Sequence, residues 1–194
     1  DILILASTKS EAGKYRWIAQ RYLESTLHLR VNEQKTKLTN TDQGVRYLGF
    51  IISRHGVRID PKKVRNFKDK VRKLTKRNRA GGVEVLIDEL NDLLRGFANY
   101  FRIGQVKSLY SKLMSWIRRR LRMKKMRDWK SWKGLHKQLR RQGYQGSFEK
   151  ISMSRWRGSS NRLVQQALPN DWFTQIGLYN MDRVKTNILH QYYE

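Results

Sequence analysis

Apolar and polar positions along this chain change rhythm twice. Ile2-Leu3-Ile4-Leu5-Ala6 is an unbroken apolar run, suited to a buried strand. From Ser10 to Leu29 the residues Ala12, Tyr15, Ile18, Ala19, Tyr22 and Leu23 recur at helical spacing, with Lys14, Arg16 and Arg21 opposite them. A loop, Asn32-Glu33-Gln34-Lys35-Thr36, follows. Strands are then expected at Lys37-Leu38-Thr39 and across Val45 to Ile52, with turn chemistry in Asn40 to Gly44 between them. Ser53-Arg54-His55-Gly56 makes a second turn, and Val57-Arg58-Ile59 returns.

At Asp60-Pro61 the rhythm becomes helical. Asp at the N-cap and Pro at the first helical position form a start signal. Val64, Phe67, Val71 and Leu74 make the inner stripe of this helix, which ends at Ala80-Gly81-Gly82. A second helix, Val83 to Phe101, turns Leu86, Leu90, Leu94, Phe97 and Phe101 inward. A break at Gly104 precedes a third, which contributes Val106, Leu109, Tyr110, Leu113, Ile117 and Leu121. Three helices with short connections predict a small bundle. Periodicity is weaker over 126–194, where helices are expected near 129–142 and 161–168 and a small packing element from Trp172 to Leu178. The expected fold is α+β, mostly α, in three parts: 1–60, 61–125 and 126–194.

Composition sharpens this picture. The 194 residues hold 42 Lys and Arg against 16 Asp and Glu, a net charge of +26. The excess is uneven: residues 1–60 carry 10 basic and 6 acidic side chains, and the rest carry 32 and 10. Such a charge repels itself unless a polyanion neutralises it. Six Trp, nine Tyr and six Phe argue against a disordered basic tail. With no Cys, disulfides and thiolate zinc sites are excluded. His28, His55, His136 and His190 are too scattered for a metal cluster. The early apolar run is too short to cross a membrane, and there is no signal peptide pattern. The chain begins with Asp and is already strand-like there, which suggests the C-terminal piece of a longer protein.

Two stretches concentrate the charge. Lys62, Lys63, Arg65, Lys68, Arg72, Lys73, Lys76 and Arg77 surround the stripe of the 61–79 helix, with Asp69 as the one acid. A solvated face normally mixes signs, so this helix is expected to face nucleic acid. Arg118, Arg119, Arg120, Arg122, Lys124, Lys125 and Arg127 put seven cations into ten residues, and they are expected to neutralise phosphates.

The motifs also fall into an order. Asn32-Glu33-Gln34-Lys35-Thr36-Lys37-Leu38 precedes Tyr47-Leu48-Gly49-Phe50-Ile51-Ile52. After the first helix of the bundle comes Leu93-Leu94-Arg95-Gly96-Phe97-Ala98-Asn99-Tyr100-Phe101, then Trp116-Ile117-Arg118-Arg119-Arg120-Leu121-Arg122. Over essentially the whole chain, this order resembles the second half of group II intron-encoded reverse transcriptases and maturases. The resemblance implies the end of a polymerase palm at 1–60, a helical thumb and maturase domain at 61–125, and a DNA-binding segment at 126–194. No Cys- and His-bearing endonuclease module follows, as in the shorter members of the family.

By the same resemblance, Asp1 stands at the second Asp of a double-aspartate motif that holds two Mg²⁺ ions with carboxylates from upstream. Lys35 stands at the lysine that meets the incoming triphosphate; Lys37 is two residues on, and which of the two faces the active site is left open. Tyr47, Leu48, Gly49 and Phe50 would form a primer grip, or simply sheet core with a glycine bulge. Arg95, Asn99 and Tyr100 would touch nucleic acid or fix the helix junction; Gly96, Phe97 and Phe101 are expected to be structural. Trp129, Trp132, Tyr144, Trp156, Trp172 and Phe173 are expected mostly as core of the last segment, with stacking on bases as the alternative. The implied partners are intron RNA, an RNA template with its DNA primer, and target DNA, with no membrane. The implied setting is bacterial cytoplasm or an organelle matrix. The implied activity is RNA-directed DNA synthesis by the longer protein; this segment alone is expected to bind structured RNA without synthesising DNA. A splicing cofactor without polymerase activity, or a related non-intron reverse transcriptase, are the alternatives. Oligomeric state is not legible.

Overall fold

A computed structural model describes residues 1–187; His190 lies outside the described residues. The chain divides into two compact units, Asp1–Asp60 and Pro61–Glu194.

In the first unit, α1 spans Lys9–Ser25. Its start is fixed by a reciprocal cap: the Thr8 hydroxyl accepts the Glu11 amide at 3.2 Å, and the Glu11 carboxylate accepts the Thr8 amide at 3.2 Å. No residue of α1 is buried. Two expected strands are absent. Residues 2–6 are irregular and exposed, with Ile2 66% and Leu5 74% accessible, and residues 37–39 are also irregular. A strand persists only where a partner completes its hydrogen-bond ladder, and no described segment pairs with either.

The sheet is a three-stranded antiparallel meander of β1 Val45–Tyr47, β2 Phe50–Ser53 and β3 Gly56–Ile59. The expected single strand from Val45 to Ile52 is therefore broken. Tyr47 pairs with Phe50, so Leu48 and Gly49 form a two-residue turn with φ of 47° and 85°. Positive φ at both central positions is what a tight hairpin requires, and Gly49 adopts it at no steric cost. Leu48 is the strained member, since a side chain at left-handed φ costs roughly 1–2 kcal/mol. Asp60 closes the unit by donating its amide to the Gly49 carbonyl at 2.9 Å.

The second unit is helical. Its base is α2 Pro61–Leu74, α3 Val83–Phe101 and α4 Lys107–Asp128. Leu86, Leu90 and Leu94 of α3 and Leu113, Met114, Ile117 and Leu121 of α4 are all fully buried and make up the core of this unit. Phe67 stacks on Phe97 with centroids 4.0 Å apart, which locks α2 onto α3. Tyr110 is wholly buried and donates its hydroxyl to the Ala98 carbonyl at 2.9 Å. Burial, helped by Tyr179, pushes its pKa well above the usual tyrosine value, so it stays a neutral donor.

The remaining helices are α5 Trp132–Arg141, α6 Arg162–Ala167 and α7 Asn170–Gln175, with one 3-10 turn, Trp156–Ser160, before α6 and another, Met181–Arg183, after α7. This segment belongs to the same compact unit as the three long helices. Phe173, Val164, Leu135 and Leu139 are fully buried within it. Asn91 of α3 binds it with both ends of its amide, donating to the Gly177 carbonyl at 2.8 Å and accepting the Tyr179 amide at 2.7 Å.

Candidate nucleic-acid interface

The two basic helices of the second unit point their charges in opposite directions. On α2 the apolar stripe (Phe67 and Val71 buried, Val64 and Leu74 half-buried) leaves the opposite face to solvent. Lys63, Arg65, Lys70 and Lys73 stand exposed around it and on its flanks, as does Lys76 just beyond the helix, and none of these five has an ion-pair partner among the described residues. Lys62 is exposed at the start. Arg72 is the member already neutralised, by Asp69 at 2.6 Å. Lys68 leans over the Trp116 ring at 5.9 Å, alongside Arg72 at 5.6 Å and Arg120 at 5.5 Å, so three cations share one half-buried indole.

On α4 the expectation of a phosphate-facing row is corrected at most of its positions. Arg118 is 7% exposed and donates to Asn180 Oδ1 at 3.1 Å and Asp182 Oδ2 at 3.3 Å. Arg120 donates to the Thr75 hydroxyl at 2.6 Å and the Thr75 carbonyl at 3.2 Å, satisfying the orphan end of α2. Arg122, 8% exposed, donates to the Leu168 carbonyl at 2.9 Å and Asn170 Oδ1 at 3.0 Å, with its guanidinium 5.2 Å from the Phe173 ring centroid. Burial lowers the pKa of Arg120 and of Arg122, with Arg72 and Arg118 respectively adding to the effect. Lys124 is 3% exposed and bound to Asp128 at 2.7 Å, and Lys125 is bound to Glu84 at 2.7 Å. Arg119 is half-buried against Trp156, 4.4 Å from the ring centroid, and donates to the Trp156 carbonyl at 3.3 Å. The physical reason is local. Leu121, Arg122, Met123 and Lys124 are four consecutive buried residues, so protein surrounds α4 on every side there.

The Arg95–Phe101 stretch lies within α3 with no break in the helix. Phe97 and Phe101 are core, as expected. Gly96 is not a packing requirement: a Cβ there would meet nothing within 4 Å. Arg95, Asn99 and Tyr100 are exposed, with Arg95 over the Tyr179 ring at 5.7 Å. In the first unit, Asp1 is exposed and its carbonyl accepts the Tyr47 hydroxyl at 3.2 Å. Lys35 and Lys37 are both exposed, so the fold does not choose between them. Leu48, 51% exposed, stands at the hairpin tip between half-buried Tyr47 and Phe50. Of the last segment's aromatics, Phe173 is fully buried, Trp129, Trp132, Tyr144 and Trp172 are half-buried, and Trp156 is 39% exposed. Among the described residues no helix is long and apolar enough to cross a membrane.

A helical unit that keeps its arginine-rich helix inside and turns a row of unneutralised cations outward is of the nucleic-acid-binding class. Residues 64–143 match the family described as the group II intron, maturase-specific domain. These residues are thus similar to a group II intron maturase-specific domain, which supports reading this region as the C-terminal part of such a maturase. The match runs from the fourth residue of α2 to just past α5, so it takes in most of α2, all of α4 and the signature between them. No curated protein matches the chain.

Proposed function

We propose that this protein binds the RNA of its group II intron along the outward face of α2, promotes splicing, and forms part of an RNA-directed DNA polymerase that copies a primed RNA template during intron mobility into target DNA. The observation that carries the RNA reading is the unpaired cationic face of α2 inside a maturase-specific domain. The polymerase reading is supported by the motif order of the first unit. It is also supported by the apolar surface that unit leaves open: Trp17 and Tyr22 of α1 are 61% and 55% exposed, as parts of a palm are before its other strands and helices cover them.

In that reading Leu48 and Gly49 present backbone to the primer, and Lys35 or Lys37 meets the triphosphate. Asp1 would be one ligand of a two-Mg²⁺ centre. Asp1 alone does not fit such a centre, because no group of three His, Asp or Glu converges among the described residues. The remaining carboxylates would have to come from outside the described residues, and no chemical step is assigned to the metal. Where that centre is complete, Asp1→Ala abolishes DNA synthesis and leaves RNA binding intact.

The test of the RNA reading is the triple variant Lys63→Gln, Lys70→Gln, Lys73→Gln. Gln is a good helix former and these side chains are exposed, so stability should move by no more than about 0.5 kcal/mol. Each lost phosphate contact should flatten the slope of log K against log salt by about 0.7–0.9, with splicing impaired at low Mg²⁺. An unchanged slope in a folded variant overturns it. Primer extension, with and without the missing carboxylates, separates the polymerase from a splicing cofactor that makes no DNA.

A further inference from the structure

The connection between α2 and α3 meets the end of α4 in a pocket of about 770 Å³, and six of its lining residues are cationic: Arg77, Arg79, Lys124, Lys125, Arg127 and Lys130. Three of these are neutralised, by Glu89, Asp128 and Glu84. The other three are not. Arg127 donates to the Arg77 carbonyl at 2.9 Å and to Asn78 Oδ1, both neutral acceptors. Arg77 donates to the carbonyls of Ser154 at 3.2 Å and Met153 at 3.4 Å. Lys130 is exposed and makes no side-chain bond among the described residues. Carbonyl partners fix where a guanidinium points without cancelling its charge, so two of the three cations are held in place before any ligand arrives.

We infer that this pocket is a docking site for a phosphodiester segment of RNA, where the backbone running along α2 turns past the end of that helix. The site rests on the RNA-binding reading of α2 and extends it: α2 offers a convex row, and the pocket a concave end to it. Arg77 and Arg127, each held by its own carbonyl partners, offer a phosphodiester fixed cations, and Lys130, on a one-residue left-handed step with φ 60°, adds a third cation to the same pocket lining.

Lys130 is the residue to test, because changing it removes no internal bond. Asn and Asp tolerate left-handed φ, so Lys130→Asn removes the charge and Lys130→Asp reverses it without disturbing the backbone. Binding of the full chain to group II intron RNA is measured at several salt concentrations, beside Lys73→Gln on α2. In addition, the chain has no Cys, so Lys130→Cys carries a single thiol for a photo-crosslinker. The expected result is a slope shallower by about 0.7–0.9 for Lys130→Asn, weaker binding still for Lys130→Asp, and cross-links from position 130 to discrete nucleotides. If Lys73→Gln weakens RNA binding while both Lys130 variants bind as the wild type does, the pocket does not hold RNA. If inorganic phosphate raises the wild-type melting temperature through Lys130 but RNA binding ignores that residue, the site takes a small anion and the inference is overturned. If Lys73→Gln and the Lys130 variants are all without effect, the underlying reading of α2 has failed as well.

Discussion

Helices α2 and α4 are alike in composition and opposite in use. Both are basic with an apolar stripe, and both lie in the stretch matched as maturase-specific domain. Yet α2 carries its cations on the surface, while α4 directs Arg118, Arg120 and Arg122 at carbonyl, amide and carboxylate oxygens of its own chain. What differs is the surroundings. α2 has α3 and α4 on one side and water on the other, whereas α4 is covered by α2, α3 and the segment after residue 129. A buried guanidinium must find acceptors or lose several kcal/mol, and the C-terminal segment supplies them. Charge density therefore does not by itself report a binding surface. The same residue type serves as a tie between distant segments where α4 is enclosed, and as a free charge where α2 is open.

The sharpest way to break this comparison is Arg122→Gln. The shorter, neutral side chain reaches neither the Leu168 carbonyl nor Asn170 in the same geometry, and buried acceptors are left unpaired. A loss of about 3 kcal/mol is expected in urea unfolding, with the salt slope for RNA unchanged in the fraction that remains folded. Full stability together with a shallower slope would show that α4 does face phosphate, and the two helices would then not differ. Arg119, stacked on exposed Trp156, lies closest to the boundary between the two behaviours.

How far the sequence reveals this follows from the range of each interaction. The three long helices were legible because a 3.6-residue stripe and the Asp60-Pro61 start are local signals, and α2 does begin at Pro61. The cap of α1 was missed: the apolar pattern placed the start at Ser10, whereas the helix begins at Lys9 behind the Thr8–Glu11 cap. The hairpin was misread because Tyr47, Leu48, Phe50 and Ile51 have strand propensity throughout. Gly49 was the one mark of the turn, and Leu48 adopts positive φ against its own preference. The roles of the α4 arginines could not be read at all. Their acceptors, Thr75, Leu168, Asn170, Asn180 and Asp182, lie 45 to 64 residues away. A sequence shows that an arginine needs an oxygen, but not whether that oxygen belongs to phosphate or to protein. The run Leu121-Arg122-Met123-Lys124-Lys125-Met126 did hold a hint, since apolar residues there point to every side of the helix.

A smaller effect probes the contact between the two helices. Thr75 is 3% exposed; its hydroxyl donates to the Val71 carbonyl at 2.6 Å and accepts Arg120 Nε at 2.6 Å. Thr75→Val keeps the shape and removes both bonds. Arg120 retains the Thr75 carbonyl, so the loss should be about 1–2 kcal/mol in thermal or urea unfolding. A neutral result would mean that Arg120 finds its acceptors in water, which would make that end of α4 more like α2.

The smallest expected effect tests the ion pair between Lys125 of α4 and Glu84 of α3. Burial acts to raise the Glu84 pKa, but the hydrogen bond from Lys125, its own backbone amide and the charges of Lys125 and Lys124 together outweigh burial and leave it below the usual glutamate value. The folded state thus holds the charged form more tightly than the unfolded chain does. That contribution is present above the unfolded pKa, near 4.5, and is lost as pH falls through the lower folded value. Glu84 is half exposed, so solvent screens the pair and the contribution should be about 0.2–1 kcal/mol. Glu84→Gln should remove that much stability at pH 7 and little at pH 3, and wild type and variant should converge between the two. A constant difference from pH 7 to pH 3 would mean that Glu84 acts through packing alone. Lys125 would then be an unneutralised cation on the rim of the α2–α3 pocket, and α4 would resemble α2 at its last turn.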